Sequence, residues 1–533
     1  MNKKYIYLIL LIIMGVVAHF MSYHIDYPEI GYHSWKNVNY ETCARNFAED
    51  GFFSSGFFIP RWNYPALHDD PSGVHSDTFP TTSIITALAF MIFGYELWIA
   101  RAISIFFALG SIIFFYLIIK KLFKREDLAL TSAGVMAINP LLIFFGRQVQ
   151  LINVALFLCL IGTYYFIKWK DTFKLKHFSL FVLPMMLGVL TKYSFALFML
   201  PILCTFPYKR FLDEDKYSEA VIGFLSCVAA VSWFFYSKSF SANIGSQVST
   251  ISLGMIFSGK FWTIMQSYAR DNYTMLGLSF AIFGLSIFLL LLNKNIQHKG
   301  FRFMSFYLIG SIIWFVVMAE KLSGHSYHQY PILPLVIFFI AYAFIIISTN
   351  LSKIIKLDIK WIIIIILLGV LLIPCLEAKN RMFDTQFYGS DVAGEYIKAN
   401  KQPGERVMFT STGQTYGILW HGDIFGIKGI KSTAEDVMYA EENLNCTWIY
   451  MYNLDFHLTQ TPGIWDYIKE NYELKQMGFM NTKQGFQPLY FLLKRGGSFD
   501  VNNLSEMVKN QKVRIKEYEL TSGKINMNFI NFQ

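Results

Sequence analysis

The chain of 533 residues is 54% hydrophobic and 18% aromatic, and only 16% of its residues are charged. Soluble globular proteins carry about 25% charged residues, so the composition excludes an ordinary soluble enzyme. The net charge of +9 does not signal nucleic acid, because Lys and Arg sit in short clusters between apolar runs, the pattern of cytoplasmic loops.

The apolar runs are about 17–25 residues long, enough for helices that cross a bilayer. The first follows Lys3 and Lys4 and extends from Tyr5 to about Met21. No small-residue cleavage site follows it, so it reads as an uncleaved span with its N-terminus inside. Basic clusters then set the topology: Lys120, Lys121, Lys124 and Arg125; Lys168, Lys170, Lys174 and Lys176; Lys209 and Arg210; Lys294, Lys299 and Arg302; Lys353, Lys356 and Lys360. With each cluster in the cytoplasm, about eleven spans follow. They fall at 5–22, 98–119, 128–145, 150–167, 177–190, 193–207, 218–237, 274–292, 303–320, 329–348 and 360–376. A crossing at Pro80–Gly94 would invert every later cluster, so that segment is expected to be a juxtamembrane helix on the outer face.

The expected fold is therefore a polytopic α-helical membrane protein, with a transmembrane domain at 1–376 and an external α/β domain at 377–533. In the tail, Arg406–Thr410, Cys446–Tyr452 and Leu489–Lys494 read as strands. Val392–Asn400, Ser432–Asn443 and Gly463–Glu473 read as helices between them. The six cysteines are singly spaced packing residues; a Cys43–Cys446 disulfide is open, since both lie on the outer side.

The first external loop, 23–97, holds most of the candidate chemistry. Ser34 is the expected N-cap of a helix running from Trp35 to about Glu49 and stopping at Gly51. Asn37, Glu41, Arg45 and Glu49 share one face at i, i+4 spacing. That face either lines a cavity, with Glu41 as a base, or is a solvated ladder that pairs with itself. Asp26, Glu29 and His33 precede the helix, and Arg61, His68, Asp69, Asp70, His75 and Asp77 follow it, among Tyr27, Tyr32, Trp35, Trp62 and Tyr64. Aromatic faces beside carboxylates suit sugar rings. His68, Asp69, Asp70 and His75 offer ligands to a divalent metal, but without a recognised spacing, and no cofactor is expected. Arg101, Arg147 and Lys192 lie at the outer ends of spans, where a charge in lipid marks a site or snorkels to the interface.

Taken in order, several marks resemble one family. Ala44-Arg45-Asn46-Phe47 and Glu49-Asp50-Gly51 close the loop helix; Phe79-Pro80 precedes an apolar helix ending Phe93-Gly94; Ile99-Ala100-Arg101 opens a span that closes on Lys120-Lys121-Leu122-Phe123. Asn139-Pro140-Leu141 precedes Arg147, then come Leu190-Thr191-Lys192-Tyr193 and Tyr330-Pro331-Ile332-Leu333-Pro334. Over about residues 5–350 this resembles the GT-C membrane glycosyltransferases, in particular the dolichyl-phosphate-mannose protein mannosyltransferases and the bacterial aminoarabinose lipid A transferases.

The resemblance implies transfer of a sugar from a polyprenyl-phosphate-linked donor to a lipid, glycan or protein acceptor on the external face of the membrane. A carboxylate in the first loop would take the proton of the acceptor hydroxyl, and basic residues would stabilise the departing lipid phosphate. Arg147, Lys192, Arg101 and Lys36 are the candidate phosphate ligands. The family's usual acidic residue, about nine positions before the arginine, is replaced here by Lys36 and Asn37. Gly31-Tyr32-His33-Ser34-Trp35 resembles a bacterial subgroup with a His-Ser-Trp entry. The base is then sought among Asp26, Glu29, His33, Glu41 and Asp77, with His33 and Asp77 favoured by their places beside matched motifs. Residue usage rich in Ile, Lys and Asn points to a bacterial cell membrane. The alternatives are a transporter or flippase of a lipid-linked saccharide, or a homologue without catalysis. Charges at span ends rather than at mid-membrane disfavour transport.

Overall fold

The structure, a computed structural model, describes residues 3–240, 253–409, 415–428, 433–452, 459, 461, 463–482, 485–499, 504–509 and 511–532. It divides into two compact units. One comprises Met1–Ile25, Ser76–Thr82 and Ala100–Met382, the other Asp26–His75, Ser83–Ile99 and Phe383–Gln533. Most of the chain between the first two spans, Asp26–His75 and Ser83–Ile99, is thus grouped with the residues from Phe383 onward.

The first unit is helical. Among the described residues eight helices are long and apolar enough to cross a membrane, including α1 (Lys3–Met21), α4 (Leu97–Phe123) and α7 (Leu151–Thr172). A ninth span exists if α5 (Glu126–Ala137) and α6 (Pro140–Gly146), bent by 58°, are counted as one. The bend follows from the sequence. Pro140 cannot continue the ladder from α5, and Asn139 restarts it by accepting the Leu142 amide at 3.2 Å, with proline in the first turn. The two other expected spans, 177–190 and 193–207, are shorter apolar helices: α8 (Leu175–Thr191) and the segment Tyr193–Thr205. All eleven apolar segments are helical, but the number that spans by length is eight or nine.

In the second unit, α2 (Ser34–Asp50) is capped by His33 in the left-handed conformation (φ 60°), not by Ser34, and ends at Gly51 with φ 88°, a value that favours glycine. α3 (Thr81–Phe93), whose last eleven residues belong to this unit, has 13 residues, about 20 Å and short of a crossing.

The C-terminal residues form one seven-stranded sheet in the order β2-β1-β3-β5-β4-β7-β6. The strands are β1 (Arg406–Phe409), β2 (Phe425–Lys428), β3 (Cys446–Tyr452), β4 (Tyr472–Thr482), β5 (Gly485–Arg495), β6 (Arg514–Leu520) and β7 (Gly523–Asn531). β2, β1 and β3 are parallel and the rest antiparallel. Helices Ser390–Asn400, Ala434–Leu444 and Ile464–Asn471 match the expected ones, while Thr410 and Ser432 lie outside the described residues. Met408, Ile449, Leu493 and Met477 on the sheet pack with Val437 and Ile468 on helices.

The loop completes this sheet's edge. Gly426 donates to the Asn63 carbonyl at 2.6 Å and Lys428 to that of Pro65 at 3.1 Å. The exposed side of β2, a template for unwanted pairing, is thereby covered. At the other end of the loop Phe387 donates to the Ile30 carbonyl at 2.7 Å. Cys43 and Cys446 are both buried free thiols, so the disulfide is not formed.

Candidate active site

Within the helical unit, two sequence motifs converge. α8 stops at Thr191 and a 3-10 turn begins at Tyr193, with Lys192 extended between them (φ −153°, ψ 105°). Backbone broken inside an apolar stretch must find other partners. The Phe79 amide donates to the Leu190 carbonyl at 2.9 Å, and the hydroxyls of Thr81 and Thr191 lie 2.6 Å apart. The Tyr193 hydroxyl donates to the Asp77 carbonyl at 2.8 Å. Phe79 meets the Trp233 ring edge-on at 4.8 Å.

This pairing places the half-buried Asp77 in the electrostatic field of Lys192. Lys192 also feels Lys321 of the short helix Ala319–Gly324. Lys192 thus has one carboxylate and one further lysine in its field, beside the Tyr193 phenol, so the group holds two basic side chains to one acid.

Arg101 and Arg147, buried at 4% and 8% exposure, turn to the chain that follows α1. Arg101 donates to the carbonyls of Ile25 and His24 at 2.9 and 3.3 Å, and Arg147 to that of His24 at 2.5 Å. Both arginines hold the same turn. Asn153 braces the backbone around Arg147 by donating to the carbonyls of Phe145 and Gln148, and accepts the Tyr330 hydroxyl at 2.8 Å. The motif beginning at Tyr330 is thus tied to the turn carrying Arg147.

In the second unit most of the polar face of α2 is buried. His33, Asn37, Glu41 and Arg45 are exposed by no more than 7%. Asn37 donates to Glu29 at 3.0 Å. Arg45 leaves the helix face to pair with Asp423 at 2.9 Å and stack over Trp420 at 4.8 Å. Glu49, the last member of this face, is exposed and lies in the field of Arg45. Lys36 lies 4.2 Å over the Trp35 ring, and Asp26 is exposed in the turn before the loop.

The four metal-ligand candidates are dispersed. His68 faces Asp436 at 3.7 Å, and Asp70 accepts from the Ser72 amide and hydroxyl. His75 packs against the Trp62 ring at 3.6 Å. Burial first, and then the charge of Lys36, lower the His75 pKa to about 4. Among the described residues no three His, Cys, Asp or Glu side chains are grouped to hold a metal ion.

Two residues escaped the sequence reading. Lys321 gave no signal, since it stands in a polar connection beside Glu320. Asn39 is fully buried, and neither amide atom has a hydrogen-bond partner. Such an orphan costs about 1–3 kcal/mol and calls for a functional explanation. The signal was an Asn inside a helix whose neighbours Val38 and Tyr40 are apolar.

Residues 75–236, which include Asp77 and Lys192, match the family model described as dolichyl-phosphate-mannose-protein mannosyltransferase. No curated protein matches. The fold is similar to that of ArnT from Cupriavidus metallidurans in the apo state, with a TM-score of 0.56 at 10% identity over 92% of this chain and 98% of that one. The same enzyme bound to undecaprenyl phosphate gives a TM-score of 0.54 at 10% identity with the same coverage. The oligosaccharyltransferase of Archaeoglobus fulgidus, in complex with Zn and sulfate, gives 0.54 at 12% identity over 96% of this chain and 79% of that one. With the matched segment and the shared architecture in agreement, the chain is a polytopic membrane protein of the GT-C fold.

Proposed function

We propose that the protein is a membrane glycosyltransferase that takes a sugar from a polyprenyl-phosphate-linked donor and passes it to a lipid, glycan or protein acceptor on the external face of a bacterial cell membrane. The observation that carries this reading is the cluster of Asp77, Lys192 and Lys321 with Tyr193, inside the segment that matches the family model. The similarity to an enzyme captured with undecaprenyl phosphate supports the lipid carrier.

In the reaction the acceptor oxygen bonds to the anomeric carbon as the bond from that carbon to the phosphate oxygen breaks. The phosphate leaves with both electrons and keeps its added charge. Lys192 and Lys321 stabilise that charge, and the charge of Asp77 acts on Lys192. The acceptor proton goes to a base. Asp77 already lies in the field of Lys192 on the phosphate side, so His33 and Glu41 of the loop helix are the remaining candidates for the base. Asp26, exposed at the head of the loop, has the weakest claim. Arg101 and Arg147 fix the turn after α1, and Lys36 stays with Trp35.

The test uses full-length protein in nanodiscs with radiolabelled polyprenyl-phosphate sugars, reading sugar release and transfer. Turnover of one donor, lost in Lys192→Ala and in His33→Ala or Glu41→Ala with protein levels kept, supports the reading. Movement of intact donor across the bilayer without turnover would instead make the protein a transporter.

A further inference from the structure

Far from Asp77, at the other end of α8, basic side chains from separate elements converge on one cavity. α8 has 17 residues, so about 25 Å of helix separates its start from Lys192. The cavity measures about 1080 Å³ and is lined by Lys120, Lys121 and Lys124 at the end of α4 and by Lys299 at the head of the helix Lys299–Val317. Asp171 of α7 takes Lys121 at 2.8 Å and Lys299 at 3.0 Å, and Glu126 takes Lys120 at 2.8 Å. A smaller cavity of about 80 Å³ shares Asp171 and Lys299 and adds Lys170 and Arg302. Lys170 donates to the Thr205 carbonyl at 2.6 Å and Arg302 to that of Cys204 at 3.5 Å.

Across both cavities six cations meet two carboxylates, a surplus of four positive charges. Charges that served only to orient the chain in the membrane would be free in water. Here residues far apart in sequence are tied together by Asp171. Beside Gln297 and His298, the remaining wall is apolar: Leu117 and Leu122 of α4 and Tyr164 and Ile167 of α7, all on membrane-spanning helices. A cationic floor under a wall that continues into the spans suits an amphiphile with an anionic head. A free phosphate would satisfy the lysines and leave the wall unused.

We propose that this cavity binds the phosphate headgroup of an anionic phospholipid of the surrounding bilayer, with the acyl chains running along α4 and α7. This site stands apart from the transferase reading and does not depend on it. Basic pockets between spanning helices have the chemistry for such headgroups.

The experiment is native mass spectrometry of the delipidated full-length protein, with phosphatidylglycerol, phosphatidylcholine or glycerol phosphate added. Phosphatidylglycerol is expected to stay bound, while phosphatidylcholine leaves and glycerol phosphate does not displace the lipid. The double variant Lys121→Gln/Lys299→Gln should lose about 25-fold in retention, about fivefold per lysine. Lys174→Gln/Lys176→Gln, exposed and outside the cavity, should retain the lipid as the unaltered protein does. Should the first variant aggregate, Lys124→Glu gives the same test from an exposed position. Equal retention in all variants, equal binding of phosphatidylcholine, or glycerol phosphate bound as tightly as the lipid would overturn the proposal.

Discussion

The Tyr193 hydroxyl and the Asp77 carbonyl are joined by a 2.8 Å hydrogen bond across 116 residues of sequence. The bond fixes the segment carrying Asp77 against the helix break at Lys192. Tyr193→Phe removes one hydrogen bond and should cost about 1 kcal/mol of stability. Because a displaced site loses more than its bond, turnover should fall further than stability does. Thermal unfolding and single-turnover sugar release on the same preparation will separate the two.

In the proposed reaction Lys192 and Lys321 act on charge that develops as the phosphate departs. Either change to Ala should lower turnover by about 10²–10³-fold, the usual loss of one charge-stabilising donor. Charge-retaining Lys192→Arg should recover part of the loss, whereas Lys192→Met should not. The readout is kcat at saturating donor, beside donor affinity.

Arg101 and Arg147 make a contrasting pair. Both bond to carbonyls of the turn after α1, and hydrogen bonds from a charged group contribute about 1.5–3 kcal/mol each. Arg101→Gln and Arg147→Gln should lower the unfolding midpoint of the purified protein. An unchanged midpoint with weakened donor binding would return both to the phosphate.

His75 gives a pH signature. Its pKa of about 4 in the folded protein lies below that of free histidine, so the unfolded chain binds the extra proton first. The contribution is complete above about pH 6.5 and is lost as pH falls toward 4, by up to about 3 kcal/mol. His75→Gln should flatten the stability profile between those limits, measured by denaturant unfolding at stepped pH.

The helical half was legible because each apolar run states its own structure. The charge of Lys192 also stood out against its apolar surroundings. Lys321 could not be found that way, since a lysine beside Glu320 is ordinary until the fold brings it to Lys192. Three strands of the sheet were readable from β-branched and aromatic runs. β2, only four residues long and containing Gly426, lacked enough pattern. β4 opens with Tyr472 and Glu473, which extended the expected helix Gly463–Glu473 past its true end at Asn471. β6 and β7 are polar and partly exposed, so alternation was faint.

The edge that the first loop lends to β2 also sets an order of events during synthesis. The Glu29 amide finds its partner, the His421 ring, 392 residues later, after all the spanning helices have been made. Until then the loop holding His33 and Glu41 has no sheet to complete. Closing so long a loop is slow to reward, so the helical half is assembled first and the candidate base is positioned last. A ribosome that stops near residue 380 therefore leaves a membrane-inserted chain whose first loop lacks its frame.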